Sequence, residues 1–422
     1  MAFLFHRSLR LDDNLGLIKA LDDEKSVLPV FCVDPRQADP KKNSYFSGFA
    51  LGFMYQSLLD LKAQLQSKGS DLLLLKGEPH KVLPRILRKR GITKLYMNED
   101  YTPFARKRVE EIREALGEDI EIVETQDYLM HNFGEILSGS GTAYRVYTSF
   151  LNASKRKRVD KPIKIRNTSR LVSATSMRSY QNKSAWNFLK KNSKITPFYE
   201  PGGRTEGVRR LLSVIKTQKN YAKCRDYLTY KTTRMSAYIK FGCVSIREAW
   251  HGFAKVGGTA SQGLHRELIW REFYYHYYIA YPEELEWAKK TKEARLSPKA
   301  PDIVKACFKE LDTVGYLHNR GRMILAHYIL KYQKEYWKEG DRMYARRLVD
   351  YDPMVNIGNW RWIEKQPSFK TLKPETQFKR WDRACPTAKN KKDIEKGSYT
   401  QFWLNPKKAL KQAKLEFKNN NV

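Results

Sequence analysis

Acidic residues are scarce in this chain: 46 Asp and Glu stand against 79 Lys and Arg over 422 residues, a formal charge of +33. So large a deficit of negative charge excludes long-range attraction of cationic partners and favours polyanions, of which nucleic acid is the commonest. Charge alone gives affinity for a phosphate backbone and does not say which base is read. Cysteine is scarce as well. Five residues (Cys32, Cys224, Cys243, Cys307 and Cys385) lie scattered without CxxC spacing, which argues against a zinc site and a disulfide framework and fits a reducing compartment. No run approaches the roughly 20 apolar residues of a membrane span, and the opening MAFLFHRSLRL is too short in its apolar run for a signal peptide. The expectation is a soluble, intracellular monomer, cytoplasmic or nuclear. The first strand-to-helix loop lacks GxGxxG, so no dinucleotide can be assigned to it.

Hydrophobic residues make up 41% of the chain and aromatics 13%, enough for globular packing, and the length predicts two or three domains. Over residues 1–126, short apolar β-leaning runs (Ala2–His6, Ser26–Val33, Asp71–Leu75, Lys94–Met97, Ile120–Val123) alternate with helical patterns (Leu15–Leu21, Ser47–Lys68, Pro79–Arg90, Pro103–Leu116). That alternation predicts a doubly wound, Rossmann-like parallel sheet covered on both faces. Residues 127–196 read as a basic connector. It contains Ser138-Gly-Ser-Gly141, a turn or a phosphate cradle, and Lys155-Arg-Lys-Arg158, a nuclear address or a linker facing DNA. Over 197–404 apolar residues recur at three- and four-residue spacing and strand signals vanish, so an all-helical domain is expected. A basic tail, 405–422, follows.

The chemistry-bearing residues lie in the helical part. Thr232, Thr233, Arg234, Met235 and Ser236 precede a helical pattern, where hydroxyls can cap the helix and free N–H groups can bind phosphate. Taken alone, the block is better accounted for by plain capping. Arg322 needs a carboxylate if buried, and Asp350 and Asp352 can supply one while the other meets a polar ligand edge. An interhelical salt bridge is the simpler reading. Asn356 offers a buried amide that can face a ring nitrogen. Trp360 and Trp362 sit two apart, and Trp337 is expected to end the helix that begins near Met323. Indoles near a redox centre can relay electrons, although most indoles in helical domains are core. Trp270, three residues after Glu267, can pair with Trp362 as walls for a nucleobase.

In order and spacing these motifs resemble the DNA photolyase/cryptochrome family: FHRSLRLDDN, FCVDP, NEDYTPFARKR and ILSGSGTAYRVYTSF in the first part, then Tyr221, Arg225, TTRMS, ELIWREF, HNRxRM, DYD, Asn356 and GNWRW. The resemblance is closest to cyclobutane pyrimidine dimer photolyases. It implies an antenna domain followed by a helical domain holding folded FAD. Tyr221 and Thr232–Ser236 would take the phosphates and ribityl chain. Arg271, Arg322, Asp350, Tyr351 and Asp352 would flank the flavin, with Asn356 facing its N5. Arg225, Glu267, Trp270, Asn319, Arg320, Met323, Trp362 and Gln377 would meet ultraviolet-damaged DNA. Glu267 would contact the flipped lesion, protonated if burial raises its pKa, and Trp360 and Trp337 would relay electrons. Asn319 and Met323 fit dimer photolyases, whereas the (6-4) branch carries histidines there, and His318 is one residue out of register. A cryptochrome-type light receptor and a degenerate nucleic-acid-binding relative are the alternatives.

The pattern departs from the family at three places. No tryptophan stands in the Arg295–Asp302 segment that would carry the third, exposed member of the relay. The relay then ends at a tyrosine, at another residue such as Trp287, or nowhere. After Trp362 the chain is shortened, and Lys370 replaces an arginine, keeping charge but losing bidentate geometry. Phe104-Ala105 replaces a folate-contacting pair, so a second chromophore would be a deazaflavin or flavin rather than folate, or absent. No metal site is expected.

Overall fold

The computed structural model describes residues 1–177, 183–195, 200–286, 291–365, 382 and 399–405. Gln377, Trp287, Lys370 and nearly all of the basic tail lie outside them. Five short strands, β1 (Ala2–Phe5), β2 (Leu28–Val33), β3 (Leu73–Lys76), β4 (Lys94–Asn98) and β5 (Glu121–Thr125), form one parallel sheet in the order β3-β2-β1-β4-β5. The helices between them are α1 (Leu15–Asp23), a single turn α2 (Pro35–Ala38), α3 (Gly48–Gln66), α4 (Pro79–Lys89) and α5 (Pro103–Leu116). This is the doubly wound arrangement predicted from the alternating pattern. Along β1, Ala2 and Leu4 pack on one face with α4 and α5, while Phe3 and Phe5 face the larger core that continues into the helical half. The order reverses between β1 and β4, where Asn14 caps α1 and accepts from Asn98 Nδ2 at 2.8 Å.

The connector carries α6 (Tyr147–Ser154), α7 (Ala174–Met177) and α8 (Lys183–Asn192) and returns to the sheet through bridges from Leu171 to Val27 and Ser173 to Ser70. The Ser138–Gly141 segment is an exposed turn whose hydroxyls bond one another and Thr142. Beyond it come α9 (Arg204–Thr217), α10 (Tyr221–Cys224), α11 (Ser236–Lys240), α12 (Ile246–Ala254), α13 (Gly258–Ala280), α14 (Asp302–Val314), α15 (Asn319–Lys331), α16 (Trp337–Ala345) and α17 (Pro353–Lys365). Among the described residues no strand follows Thr125, in keeping with the helical pattern.

One expectation is corrected. Trp337 does not end the helix containing Met323: α15 stops at Lys331, Lys334 adopts a φ of +55°, and Trp337 opens a new helix. A non-glycine residue in the left-handed region breaks the helical path, which apolar spacing alone does not reveal. Among the described cysteines, Cys32, Cys243 and Cys307 are free.

The two halves meet across buried charge. Arg10 binds Asp127 through both carboxylate oxygens at 2.6 and 2.8 Å, and Arg247 of α12 reaches Asp127 at 2.7 Å and Asp13 at 3.0 Å. All four residues are at most 5% exposed. Two cations balance two anions, the condition under which buried ions persist. Close by, Leu9 N donates to Phe241 O at 3.1 Å, and a Cβ on Gly242 (φ +65°) would lie 2.1 Å from Arg7 O. Glycine is required there for backbone to approach backbone.

Candidate active site

Three helix starts converge in the helical half. Asp341, one turn after Trp337 on α16, is buried and accepts from Asn356 Nδ2 at 2.6 Å and from Tyr351 OH at 2.9 Å. An acceptor there fixes the orientation of the Asn356 amide and turns its carbonyl oxygen away from Asp341. With two neutral donors as partners, burial pushes the Asp341 carboxyl up to about 7. The sequence reading missed Asp341. Its signal was an acid on the face of Trp337 at i, i+4 spacing, which by itself resembles any surface acid.

Arg322 of α15 pairs with both oxygens of Asp350 at 2.8 and 2.9 Å and donates to Leu317 O at 2.8 Å. Asp352 does not share this guanidinium. One oxygen caps α17 through Met354 N at 3.2 Å; the other takes Arg7, Tyr275 OH at 2.5 Å and Tyr128 OH at 3.3 Å. Its carboxylate is thus occupied by helix capping and by the N-terminal half, not left open to a ligand edge. Burial raises its pKa, but Arg7 and the hydrogen bonds outweigh that and hold it below the ordinary carboxylate range. Arg271 joins the same junction, donating to Glu272 at 2.7 Å and Tyr128 O at 2.9 Å.

The Thr232–Ser236 segment runs into α11 with Arg234 at a φ of +51°. Arg210 holds the segment from behind through Thr233 O at 2.9 Å and Thr232 O at 3.3 Å. Met235 at the N-cap provides no side-chain hydrogen bond, so the first-turn amides of α11 are not satisfied by a cap. Tyr316 joins this segment to Arg322: its OH lies 3.3 Å from Thr232 Oγ1, and Arg234 and Arg322 stand 5.3 and 5.7 Å from its ring centre. Tyr221 is buried against Gly263 of α13, where a Cβ would meet its ring at 3.2 Å. Hydroxyls, uncapped amides and a guanidinium suit the diphosphate of FAD, and the Asn356 amide suits the flavin edge. The residues present fit the group.

The rim is tied together by one dipeptide. Arg225 pairs with Glu267 of α13 at 2.7 Å, and Asp226 pairs with Arg320 of α15, whose Nη1 lies 3.3 Å from Met323 Sδ. Asn319 is exposed at the start of α15. The Glu267 side chain is 42% exposed and ion-paired. Desolvation by neighbouring protein lifts its pKa, the direction expected, with Arg225 pulling the other way. His318 caps α15, its Nδ1 accepting from Arg320 N at 3.1 Å. Burial pushes it down to about 3, so it is a neutral structural residue. Trp270 stacks on Tyr147 of α6 with ring centres 3.4 Å apart and planes 4° apart. One face is therefore covered by the connector, and the ring contacts of the described residues do not join Trp270 to Trp362. Lys155, Arg156, Lys157 and Arg158 follow α6 and are exposed.

Trp360 is 2% exposed and Trp337 3%. A Cβ on Gly340 of α16 would lie 2.2 Å from the Trp360 ring, so α17 seats this indole directly on α16, three residues past Trp337.

A second polar cluster lies at the C-terminal edge of the sheet, where the strand order reverses and such folds bind ligands. Both ring nitrogens of His6 and two guanidinium nitrogens of Arg108 are buried without a hydrogen-bond partner. Phe104 stands between Arg36 and Arg108, 5.2 and 5.9 Å from its ring centre. Burial, with Arg108 adding to it, holds His6 well below its ordinary pKa and therefore neutral.

Comparison with known proteins identifies this architecture. The DNA photolyase family matches residues 1–165, and the FAD binding domain of DNA photolyase matches residues 264–417. The crystal structure of an archaeal photolyase from Sulfolobus tokodaii with two FAD molecules is 33% identical, with a TM-score of 0.75 over 90% of this chain and 87% of that one. A deoxyribodipyrimidine photo-lyase from Synechococcus sp. is 28% identical, covering 90% of this chain and 85% of its own. Cryptochrome-2 from Gallus gallus is 25% identical over 95% of this chain and 73% of its own.

Proposed function

This chain belongs to the DNA photolyase/cryptochrome family, and we propose that it splits cyclobutane pyrimidine dimers in DNA under blue light, with FAD in its helical half. The observation that carries the reading is the rim itself. Arg225-Asp226 ties Glu267 to Arg320, and through Arg320 to Met323, in one connected set of contacts. FAD held by Thr232–Ser236, Tyr221 and Arg322 would supply light-driven one-electron chemistry to the dimer.

A dimer inside a duplex cannot reach a buried flavin and must be flipped out, and its poor stacking lowers the cost of extrusion. Glu267 is placed to accept from a base N–H, while Arg225 and Arg320 offset negative charge that develops on the lesion and hold phosphates. Asn319 and Met323 flank them on α15, and the face of Trp270 turned away from Tyr147 is left for stacking on a base. The net charge of +33 favours association with DNA. Inside, Thr232–Ser236 and Tyr221 hold the phosphates, Arg322–Asp350 the ring edge, and Asp341 orients Asn356. At the sheet edge, Arg108 and His6 offer the polar contacts for a second chromophore. Phe104-Ala105 in place of a folate-contacting pair favours a flavin or deazaflavin over a folate, or no second chromophore.

The test is direct. Ultraviolet-damaged DNA is incubated with chemically reduced protein in blue light and in darkness, and the dimers are counted. Loss in light alone is expected. FAD bound without dimer loss would replace this reading with a light receptor.

A further inference from the structure

We propose that Tyr336 is the surface terminus of an electron relay running from Trp360 through Trp337, a proposal that rests on the flavin-binding reading above. Both indoles are sealed from water, so a relay ending on Trp337 would return its electron before any external reductant could act. Tyr336 is the N-cap of α16 and precedes Trp337 directly. The two ring centres lie 5.7 Å apart with planes at 57°, and Tyr336 is 49% exposed. Among the described residues it is the aromatic neighbour of Trp337. Tyr344 is nearer Trp360, at 5.0 Å, but is 2% exposed and donates its hydroxyl to Arg322 O at 2.7 Å. Its phenol has no water to take a proton, so oxidation stalls there.

Charge supports the outward direction. Lys338 Nζ lies 5.4 Å from the ring centres of both Trp337 and Tyr336, and 3.2 Å from Glu286. An oxidised indole is a cation and is repelled by Lys338. An oxidised phenol at the surface sheds its proton and becomes neutral, escaping that repulsion. The balance is complete. An electron drawn from Trp360 toward the pocket is replaced from Trp337, and Trp337 is refilled from Tyr336. The phenolic proton passes to solvent, and the phenoxyl radical takes one electron and one proton from a small thiol.

FAD-loaded protein is illuminated with a thiol and, separately, with a nitroso spin trap, following the tyrosyl absorption and mapping the trapped peptide. Wild type should give a tyrosyl signal and an adduct on Tyr336. Tyr336→Phe should lower the photoreduction yield at least tenfold, Tyr336→Trp should restore it with an indole spectrum, and Tyr332→Phe (Tyr332 being 46% exposed) should change nothing. Undiminished photoreduction in Tyr336→Phe, or an adduct on Trp287 in wild type, would overturn the assignment while leaving the relay intact. A flavin-loaded wild type that gives no protein radical would remove the relay together with its terminus.

Discussion

Replacing Asp341 by Asn isolates the group that orients Asn356. The carboxyl is raised from its ordinary 3.8 to about 7 by burial, so the native state holds a proton that the unfolded chain has already released. Stability is then greatest below about pH 4, falls as pH climbs toward the folded value, and levels off above it. A single such group costs about 1.5 kcal/mol at pH 5 and about 4 kcal/mol at pH 8, a loss of roughly 2.5 kcal/mol across that window. The amide in Asp341→Asn can still accept from Asn356 and can donate to the Tyr351 oxygen, so packing is retained while the titration disappears. Glu272 and Glu310 are also lifted to about 7 by burial, so the wild-type slope contains their contributions too. The quantity to measure is the difference between wild type and variant in urea-unfolding free energy, from pH 5 to pH 8. That difference should shift by roughly 2.5 kcal/mol in favour of the variant as pH rises. Parallel curves would refute the buried, proton-holding Asp341 described here.

Arg247→Met leaves Asp13 without its guanidinium and Asp127 with Arg10 alone; a loss of about 3–5 kcal/mol is expected in chemical denaturation. Gly340→Ala places a methyl where the Trp360 ring lies 2.2 Å away; about 1–3 kcal/mol of overpacking should appear in stability, along with altered Trp360 fluorescence. Glu267→Ala should lower the dimer-repair yield severalfold while FAD stays bound. Loss of the flavin in that variant would contradict a rim position.

The sheet was legible because β1 to β4 are short, largely apolar runs alternating with helical patterns, and parallel pairing follows from that alternation. Arg322 with Asp350 was legible in kind, since a buried guanidinium demands an acid, but not which acid it takes. The Asp352 carboxylate is drawn off by Arg7, 345 residues away in sequence, and pattern cannot foresee contacts that the docking of two halves creates. Asp341 escaped notice for the same reason: its role exists only once α16 and α17 cross at Gly340. The direction of the Glu267 shift was legible, since neighbouring protein lifts its pKa, but its ion pair with Arg225 was not, because that contact arises only when α10 and α13 pack together. Trp337 was misassigned because the break at Lys334 is a backbone event that leaves apolar spacing undisturbed.

The central claim is that the helical half, around Asn356 and Arg322, encloses a flavin. Denaturing the purified, FAD-incubated protein and quantifying released flavin by absorbance tests it most directly. At least one FAD per chain should be recovered, and Arg322→Ala should lower the yield by one equivalent. A polypeptide that stays colourless after incubation, or an Arg322→Ala variant that retains every equivalent, would contradict the account.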